Sequence, residues 1–288
     1  MSASVETSSG RFAFRTIPEP TPTPFRASSD RVEEAHPLLA IRGLTKSYGG
    51  LDAVAGVDMD LPHGRITGLI GPNGAGKTTL LNVISGVERA TSGGVWLNGE
   101  AVAALPQHRL ASRGLVRTFQ ISRELGQLSV LENLLLARPR QTGETLTGIF
   151  ARAGRVRREE EAAIEVARGA LLKVNLWRLA DEPASALSGG QKKLLEISRA
   201  LMLSPRLVLL DEPAAGVAPA MEAILIDTIR GLADEGVDFL IIEHDLDVVA
   251  ALCRHVYVMA AGKILTQGSF AEVSSDSRVV EAYLGVKA

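Results

Sequence analysis

Arg65-Ile66-Thr67-Gly68-Leu69-Ile70-Gly71-Pro72-Asn73-Gly74-Ala75-Gly76-Lys77-Thr78-Thr79-Leu80-Leu81 passes from an apolar run, through a glycine-rich loop, into a second apolar run. Arg65 to Ile70 reads as a buried strand, and Lys77 to Ser85 as a helix stopped by Gly86. Between them, Gly71 to Thr78 fits G-x-x-x-x-G-K-[ST]. Glycines in such a loop let the backbone wrap an anion with successive N–H groups turned inward, and the helix start adds positive potential. Lys77 is placed to reach the β- and γ-phosphates of a nucleotide, and the Thr78 hydroxyl to meet Mg²⁺. The alternative is a chance Gly-rich turn, which the strand–loop–helix context disfavours.

Working outward, Leu38 to Arg42, Val54 to Leu61 and Gly94 to Leu97 are short β-rich runs split by Gly, Pro and Asn, and suggest an antiparallel layer. Residues 1–36 are rich in Ser, Thr and Pro and are expected to form a disordered tail or tether. On the other side, Leu128 to about Ala186 turns helical, with Val130 to Ala137 apolar and Arg155 to Val174 charged. Arg157 and Glu161 make an i,i+4 pair on what reads as a solvated face. Strand and helix then alternate: Arg206 to Leu210, Ala220 to Asp234, Val237 to Ile242, Leu246 to Leu252, His255 to Met259. That alternation predicts an α/β fold with a mainly parallel sheet covered by helices.

Three further segments carry polar groups where chemistry can use them. Leu207 to Leu210 ends in Asp211 and Glu212; Asp211 could hold Mg²⁺ through water, and Glu212 could orient and deprotonate an attacking water. An acidic turn after a strand explains the same residues. Phe239 to Ile242 ends in Glu243 and His244, and His244 could bond the γ-phosphate or serve only structure. Leu187-Ser188-Gly189-Gly190-Gln191 opens a helix that Ser188 would cap, with glycines baring N–H groups for a second anion; a plain helix cap is the alternative. Two cradles for one nucleotide imply two copies facing each other.

Composition narrows the class. The 288 residues are 46% hydrophobic with a net charge of −2, which argues against nucleic acid as the main partner. No apolar run has the length of a membrane span, so another chain would have to hold this one at a membrane. The single cysteine, Cys253, cannot form an internal disulfide and reads as a small core residue.

Together these segments resemble the nucleotide-binding domain of ABC transporters, from Leu38 to the end. The resemblance implies a P-loop ABC-type domain spanning 37–288, with an antiparallel β layer and an inserted helical subdomain at about 121–190. It implies that ATP lies between Gly71, Pro72, Asn73, Gly74, Ala75, Gly76, Lys77, Thr78 and Thr79 of one subunit and Ser188, Gly189, Gly190 and Gln191 of the other. Tyr48, in Ser47-Tyr48-Gly49-Gly50, matches the aromatic platform for adenine. Gln120, in Arg117-Thr118-Phe119-Gln120, matches the glutamine loop that meets both the metal and the reacting water. Asp211 is then the metal carboxylate, with Glu212 and His244 catalytic alongside Lys77.

Finer wording points to one branch. Gly114-Leu115-Val116-Arg117-Thr118-Phe119-Gln120, Glu212-Pro213-Ala214-Ala215-Gly216, Ile242-Glu243-His244-Asp245 and Glu281-Ala282-Tyr283-Leu284-Gly285 look like the ATPases of branched-chain amino-acid importers. Urea and amide importers and the lipopolysaccharide exporter are related readings; a soluble ABC ATPase lacks the expected extra modules. The resemblance implies ATP and Mg²⁺ as ligands. Its implied partners are a second ATPase subunit, two membrane permeases and, indirectly, a substrate-binding protein, at the cytoplasmic face of the membrane. One departure stands out: Ala218 occupies the place where the family carries Asp or Asn in the loop that couples the two sites.

Overall fold

A computed structural model describes residues 36–118, 124–138 and 153–284. The expected N-terminal tail and Gln120 lie outside these residues. Two sheets organise the described residues. The first is antiparallel, in the order β2-β1-β4-β5: β1 Leu39–Tyr48, β2 Leu51–Leu61, β4 Ser92–Leu97, β5 Glu100–Ala101. The second is the core sheet, in the order β10-β9-β3-β8-β7-β6: β3 Ile66–Ile70, β6 Leu115–Arg117, β7 Leu207–Asp211, β8 Asp238–Ile242, β9 His255–Ala260, β10 Lys263–Gly268. It is parallel except for β10, which pairs antiparallel with β9.

The period-2 alternation of the core strands sorts their side chains into two hydrophobic cores. Leu69, Leu209, Leu240, Ile242 and Met259 face the β layer and α1 (Lys77–Ile84). Ile70, Val208, Leu210, Phe239 and Ile241 face the opposite way. There they meet α5 (Gly189–Leu201), α6 (Pro219–Asp234) and α7 (Leu246–Leu252). Because both faces are covered, the strands β3, β7 and β8 are buried at every position and read as continuous apolar runs. Cys253 lies in this second core, its Sγ 3.0 Å from where a Cβ on Gly68 would stand. Burial pushes its thiol up to about 12, as suits a core residue.

Sequence boundaries hold with informative exceptions. β1 continues through the polar Thr45, Lys46 and Ser47 to Tyr48, because that edge pairs with β2 across a tight turn. Gly49 and Gly50 make the turn with φ of 54° and 92°, the two left-handed positions that a primed hairpin demands. The three-residue β6 and the exposed-edged β10 carry too little pattern to be read as strands without their neighbours. The helical segment contains α3 (Val130–Leu135), capped by Ser129 with a reciprocal Glu132 box, and α4 (Ala153–Lys173). α2 (Gln107–Ala111) precedes β6; α8 (Phe270–Ser274) and α9 (Ser277–Leu284) follow β10. On α4 the Arg157–Glu161 pair is present at 3.0 Å on a solvated face, as expected.

Candidate functional site

Register aligns the chemistry. β8 lies between β3 and β7, pairing Leu69 with Ile242 and Ile242 with Asp211 in one row. The Gly-rich loop, His244 and Glu212 therefore all leave the sheet within two residues of that row, at its carboxyl edge. In an open α/β sheet this edge is where ligands bind.

The loop is held from outside. Gly71 has φ of 148°, and a Cβ there would stand 2.1 Å from the Met259 carbonyl oxygen. At Gly76, with φ of 98°, a Cβ would stand 2.2 Å from the Ala53 carbonyl oxygen. Only glycine fits either position. The Gly262 N–H donates to the Ala75 carbonyl at 3.0 Å, and the Ala55 N–H to the Gly262 carbonyl at 2.8 Å, tying loop, β layer and β9–β10 turn together. Lys77 is buried, its Nζ donating to the Gly71 carbonyl at 2.7 Å and the Pro72 carbonyl at 3.1 Å. Burial pushes its ammonium below its ordinary value, while the Glu212 and Asp211 carboxylates act in the opposite sense. Thr78 is exposed at the start of α1 and Thr79 half-buried beside it.

Asp211 is 2% exposed. Its Oδ2 meets Arg117 Nη2 at 3.0 Å, but Oδ1 has no hydrogen-bond partner among the described residues. Burial raises its carboxyl, and the Arg117 charge and hydrogen bond oppose that rise. A buried carboxylate oxygen without a donor, near enough to feel the Lys77 charge at the start of α1, suits a hydrated hard cation, so the residues present fit Mg²⁺.

Glu212 adopts φ of 50°, a left-handed backbone that costs a non-glycine residue about 1–3 kcal/mol. The strained turn is closed by its N–H donating to the Ile242 carbonyl at 2.9 Å. It brings Glu212 Oε1 to 3.7 Å from His244 Nδ1, with both side chains reaching solvent. Beneath them lies Glu243, which the sequence offered only as a neighbour of His244. It is 1% exposed, and its Oε1 accepts from the Ala214 N–H at 2.8 Å while Oε2 accepts from the His244 N–H at 3.2 Å. Burial raises its carboxyl, and the backbone donors of Ala214, His244 and Asp245 pull it back. Glu243 thus clamps the loop after Glu212 to the loop bearing His244. No spacing rule distinguishes such a carboxylate from an exposed one; its burial is visible only once β7 and β8 are paired.

In the segment Leu187 to Gln191, Ser188 caps α5 in a full box: its hydroxyl accepts from the Gln191 N–H, and the Gln191 side chain accepts from the Ser188 N–H. The two glycines differ. A Cβ on Gly189 meets nothing within 4 Å, whereas one on Gly190 would stand 2.0 Å from Met221 Cγ on α6. Gly189 keeps the helix start bare, and Gly190 lets α5 and α6 approach. Tyr48 stands at the tip of the β1–β2 hairpin, 47% exposed, with its hydroxyl donating to Glu88.

A family profile described as ABC transporter matches residues 54–215, more than half of the chain. The chain belongs to the ABC transporter family. Among its relatives, this ABC domain is 41% identical to the "Probable branched-chain amino acid transport ATP-binding protein LivG" of Archaeoglobus fulgidus, over 87% of this chain and 96% of that protein. It is 40% identical to the "High-affinity branched-chain amino acid transport ATP-binding protein BraF" of Pseudomonas aeruginosa, over 87% and 99%. The solved ADP conformation of the ATP-binding cassette MJ1267 superposes with a TM-score of 0.75 at 39% identity, over 86% of this chain and 99% of that one. A nucleotide-free ATP-binding cassette from an ABC transporter gives 0.76 at 38%, over 87% and 99%. The ABC fold and its ATP-binding character follow from these matches. No described helix is long and apolar enough to cross a membrane.

Proposed function

We propose that the chain is the ATP-hydrolysing subunit of an importer of branched-chain or other hydrophobic amino acids, working as one of a head-to-tail pair of ATPase subunits beneath two membrane permeases. The observation that carries this is the shared carboxyl edge, where the Gly-rich loop leading to Lys77, the Asp211–Glu212 pair and His244 follow three adjacent strands. The substrate class is supported by the names of the LivG and BraF relatives.

In this reading the main-chain N–H groups of Gly74 to Thr78 hold the β-phosphate, and Lys77 exchanges its loop carbonyls for phosphate oxygens. Thr78 and Asp211, with Gln120, would hold Mg²⁺, which would supply positive charge to offset that of the phosphates. Glu212 accepts the proton of the attacking water. His244 orients the terminal phosphate and keeps Glu212 in place. Tyr48 stacks on adenine, and the cap of a facing subunit, Ser188 to Gln191, closes over the γ-phosphate. Opening and closing of that pair, relayed to the permeases, drives transport at the cytoplasmic face of the membrane.

Glu212→Gln tests the reading. ATP turnover and uptake of labelled leucine by cells carrying the variant should both collapse, while ATP binding persists and a dimer accumulates. Unchanged turnover removes Glu212 from its role, and lost turnover with intact leucine, isoleucine and valine uptake removes the substrate class.

A further inference from the structure

The Tyr48 ring is fixed by more than its hairpin. Glu88, on the turn that follows α1, accepts the Tyr48 hydroxyl proton on Oε2. The same oxygen lies 3.3 Å from Lys46 Nζ, and that ammonium stands 4.8 Å from the Tyr48 ring centroid. Lys46 is itself pinned by donating to the Arg89 carbonyl at 3.0 Å. The other Glu88 oxygen, Oε1, accepts from Asn82 Nδ2 at 2.8 Å. Backbone contacts fix the turn too, for the Val87 and Glu88 N–H groups both donate to the Asn82 carbonyl, at 2.9 and 3.1 Å.

Asn82 belongs to α1, the helix that the Gly-rich loop opens. Its Oδ1 accepts from Arg117 Nη1 at 2.6 Å, and Arg117 also binds Asp211 and reaches the Ser85 hydroxyl at 3.2 Å. An unbroken line of polar contacts therefore runs from Asp211 through Arg117, Asn82 and Glu88 to Tyr48. The Thr79 side chain, at the start of the same helix, stands beside the Tyr48 hydroxyl as well, so the hairpin tip is tied to both ends of α1.

We propose that Glu88 is a positioning residue for the nucleotide base, locking the Tyr48 ring to α1 so that base and triphosphate are received by one rigid body. The proposal rests on the reading of Tyr48 as the adenine platform. Lys46 covers one face of the ring, so the base stacks on the other. Ordering the ring before binding removes an entropy cost from stacking, a contact of about 1–3 kcal/mol for one base on one aromatic.

The test compares ATP with inorganic tripolyphosphate, which has no base, by equilibrium binding to the full chain with magnesium chelated. Glu88→Ala should weaken ATP about five- to tenfold and leave tripolyphosphate within about twofold. Tyr48→Phe, which removes the hydroxyl that reaches both Glu88 and Thr79, should give a loss at least as large, and the double variant should lose no more than Tyr48→Phe alone. Glu88→Gln keeps one acceptor, enough for the Tyr48 hydroxyl, but turns an N–H2 group toward Asn82 Nδ2, and should restore only part of the affinity. Equal weakening of both ligands by Glu88→Ala would make Glu88 a purely structural residue and overturn the proposal. If Tyr48→Ala weakens ATP while Glu88→Ala and Tyr48→Phe do not, the platform stands and the positioning role falls. If Tyr48→Ala leaves ATP binding intact, the platform reading itself is wrong. Should Glu88→Ala fail to fold, Glu88→Ser, whose short side chain cannot span to Tyr48, is read in its place by the same two ligands.

Discussion

His244 Nδ1 lies 3.7 Å from Glu212 Oε1, although the two residues sit at the ends of different strands and Glu212 reaches its place only through a left-handed backbone. The strain falls on the residue proposed as the general base. Glu212→Gly should therefore raise the stability of the fold by about 1 kcal/mol, seen as a melting temperature higher by a few degrees, while ATP turnover disappears. Glu212→Gln, which keeps the strained geometry, should lose turnover without that gain. Equal melting temperatures for the Gly and Gln variants would show that the φ of 50° costs nothing.

The two signature glycines should respond differently to one added methyl group. Gly190→Ala forces a carbon to 2.0 Å from Met221 Cγ and should destabilise by about 1–3 kcal/mol in chemical denaturation. Shortening the neighbour, as in Gly190→Ala with Met221→Ala, should recover part of that loss. Gly189→Ala meets open space and should leave stability unchanged or slightly better. Its defect should appear only in ATP-driven dimerisation, measured by size-exclusion chromatography with the Glu212→Gln background.

Ala218 proves to be the N-cap of α6, directly before Pro219, and makes no side-chain cap. The family's Asp at this place would accept from the first-turn N–H groups. Ala218→Asp should stabilise the chain by about 1 kcal/mol. The expected readout is a melting temperature higher by about 2–4 °C. If that loop also couples the two sites, the Hill coefficient of hydrolysis should change in the same variant; a shift in melting temperature alone would confine Ala218 to a capping defect.

Glu88 offers a pH prediction with a definite sign. The Tyr48 hydroxyl, followed by the Asn82 and Lys46 donors, holds its carboxyl below the usual range, against the opposing effect of partial burial. A carboxyl depressed in the folded state stabilises fully above its unfolded value and loses that contribution as pH falls through the folded value. The difference in melting temperature between the native chain and Glu88→Gln should thus be constant from pH 8 to about 5 and shrink below it. A difference that grew on acidification would contradict the contact with Tyr48.

Cys253 should be inert. Its buried thiol, raised to about 12, is neither exposed nor ionised near neutrality, so iodoacetamide at pH 8 should label it only after denaturation. Rapid labelling of the folded chain would mean that the packing between β3 and α7 opens.

Much of the fold was legible because its decisive segments are contiguous. A buried strand, a Gly-rich loop and a helix occupy Ile66 to Ile84 without interruption, and the apolar runs ending at Asp211 and Ile242 declare their own burial. β1 was read short because Thr45 to Ser47 are polar, and only pairing with β2 makes them a strand. The site was legible as a set of residues in order, each with a role that a motif can state. Glu243, Arg117 and Glu88 were not, since a carboxylate or guanidinium acquires meaning from what faces it. Those facing groups come from Ala214, Asp211 and Tyr48, which stand 29, 94 and 40 positions away. The separate tasks of Gly189 and Gly190 were equally hidden, because only the packing of α6 tells them apart.

The Lys77 ammonium rests on the carbonyls of the same loop that its charge is meant to serve, and that loop is pinned at Gly71, Ala75 and Gly76 by its surroundings. Taking up a triphosphate then needs one side chain to trade acceptors, a rotation on the picosecond-to-nanosecond scale, and no rebuilding of the main chain. In the proposed cycle the loop is thus a finished receptor before any phosphate arrives, and the lysine is the one part of it that would have to let go of the protein to take hold of the nucleotide.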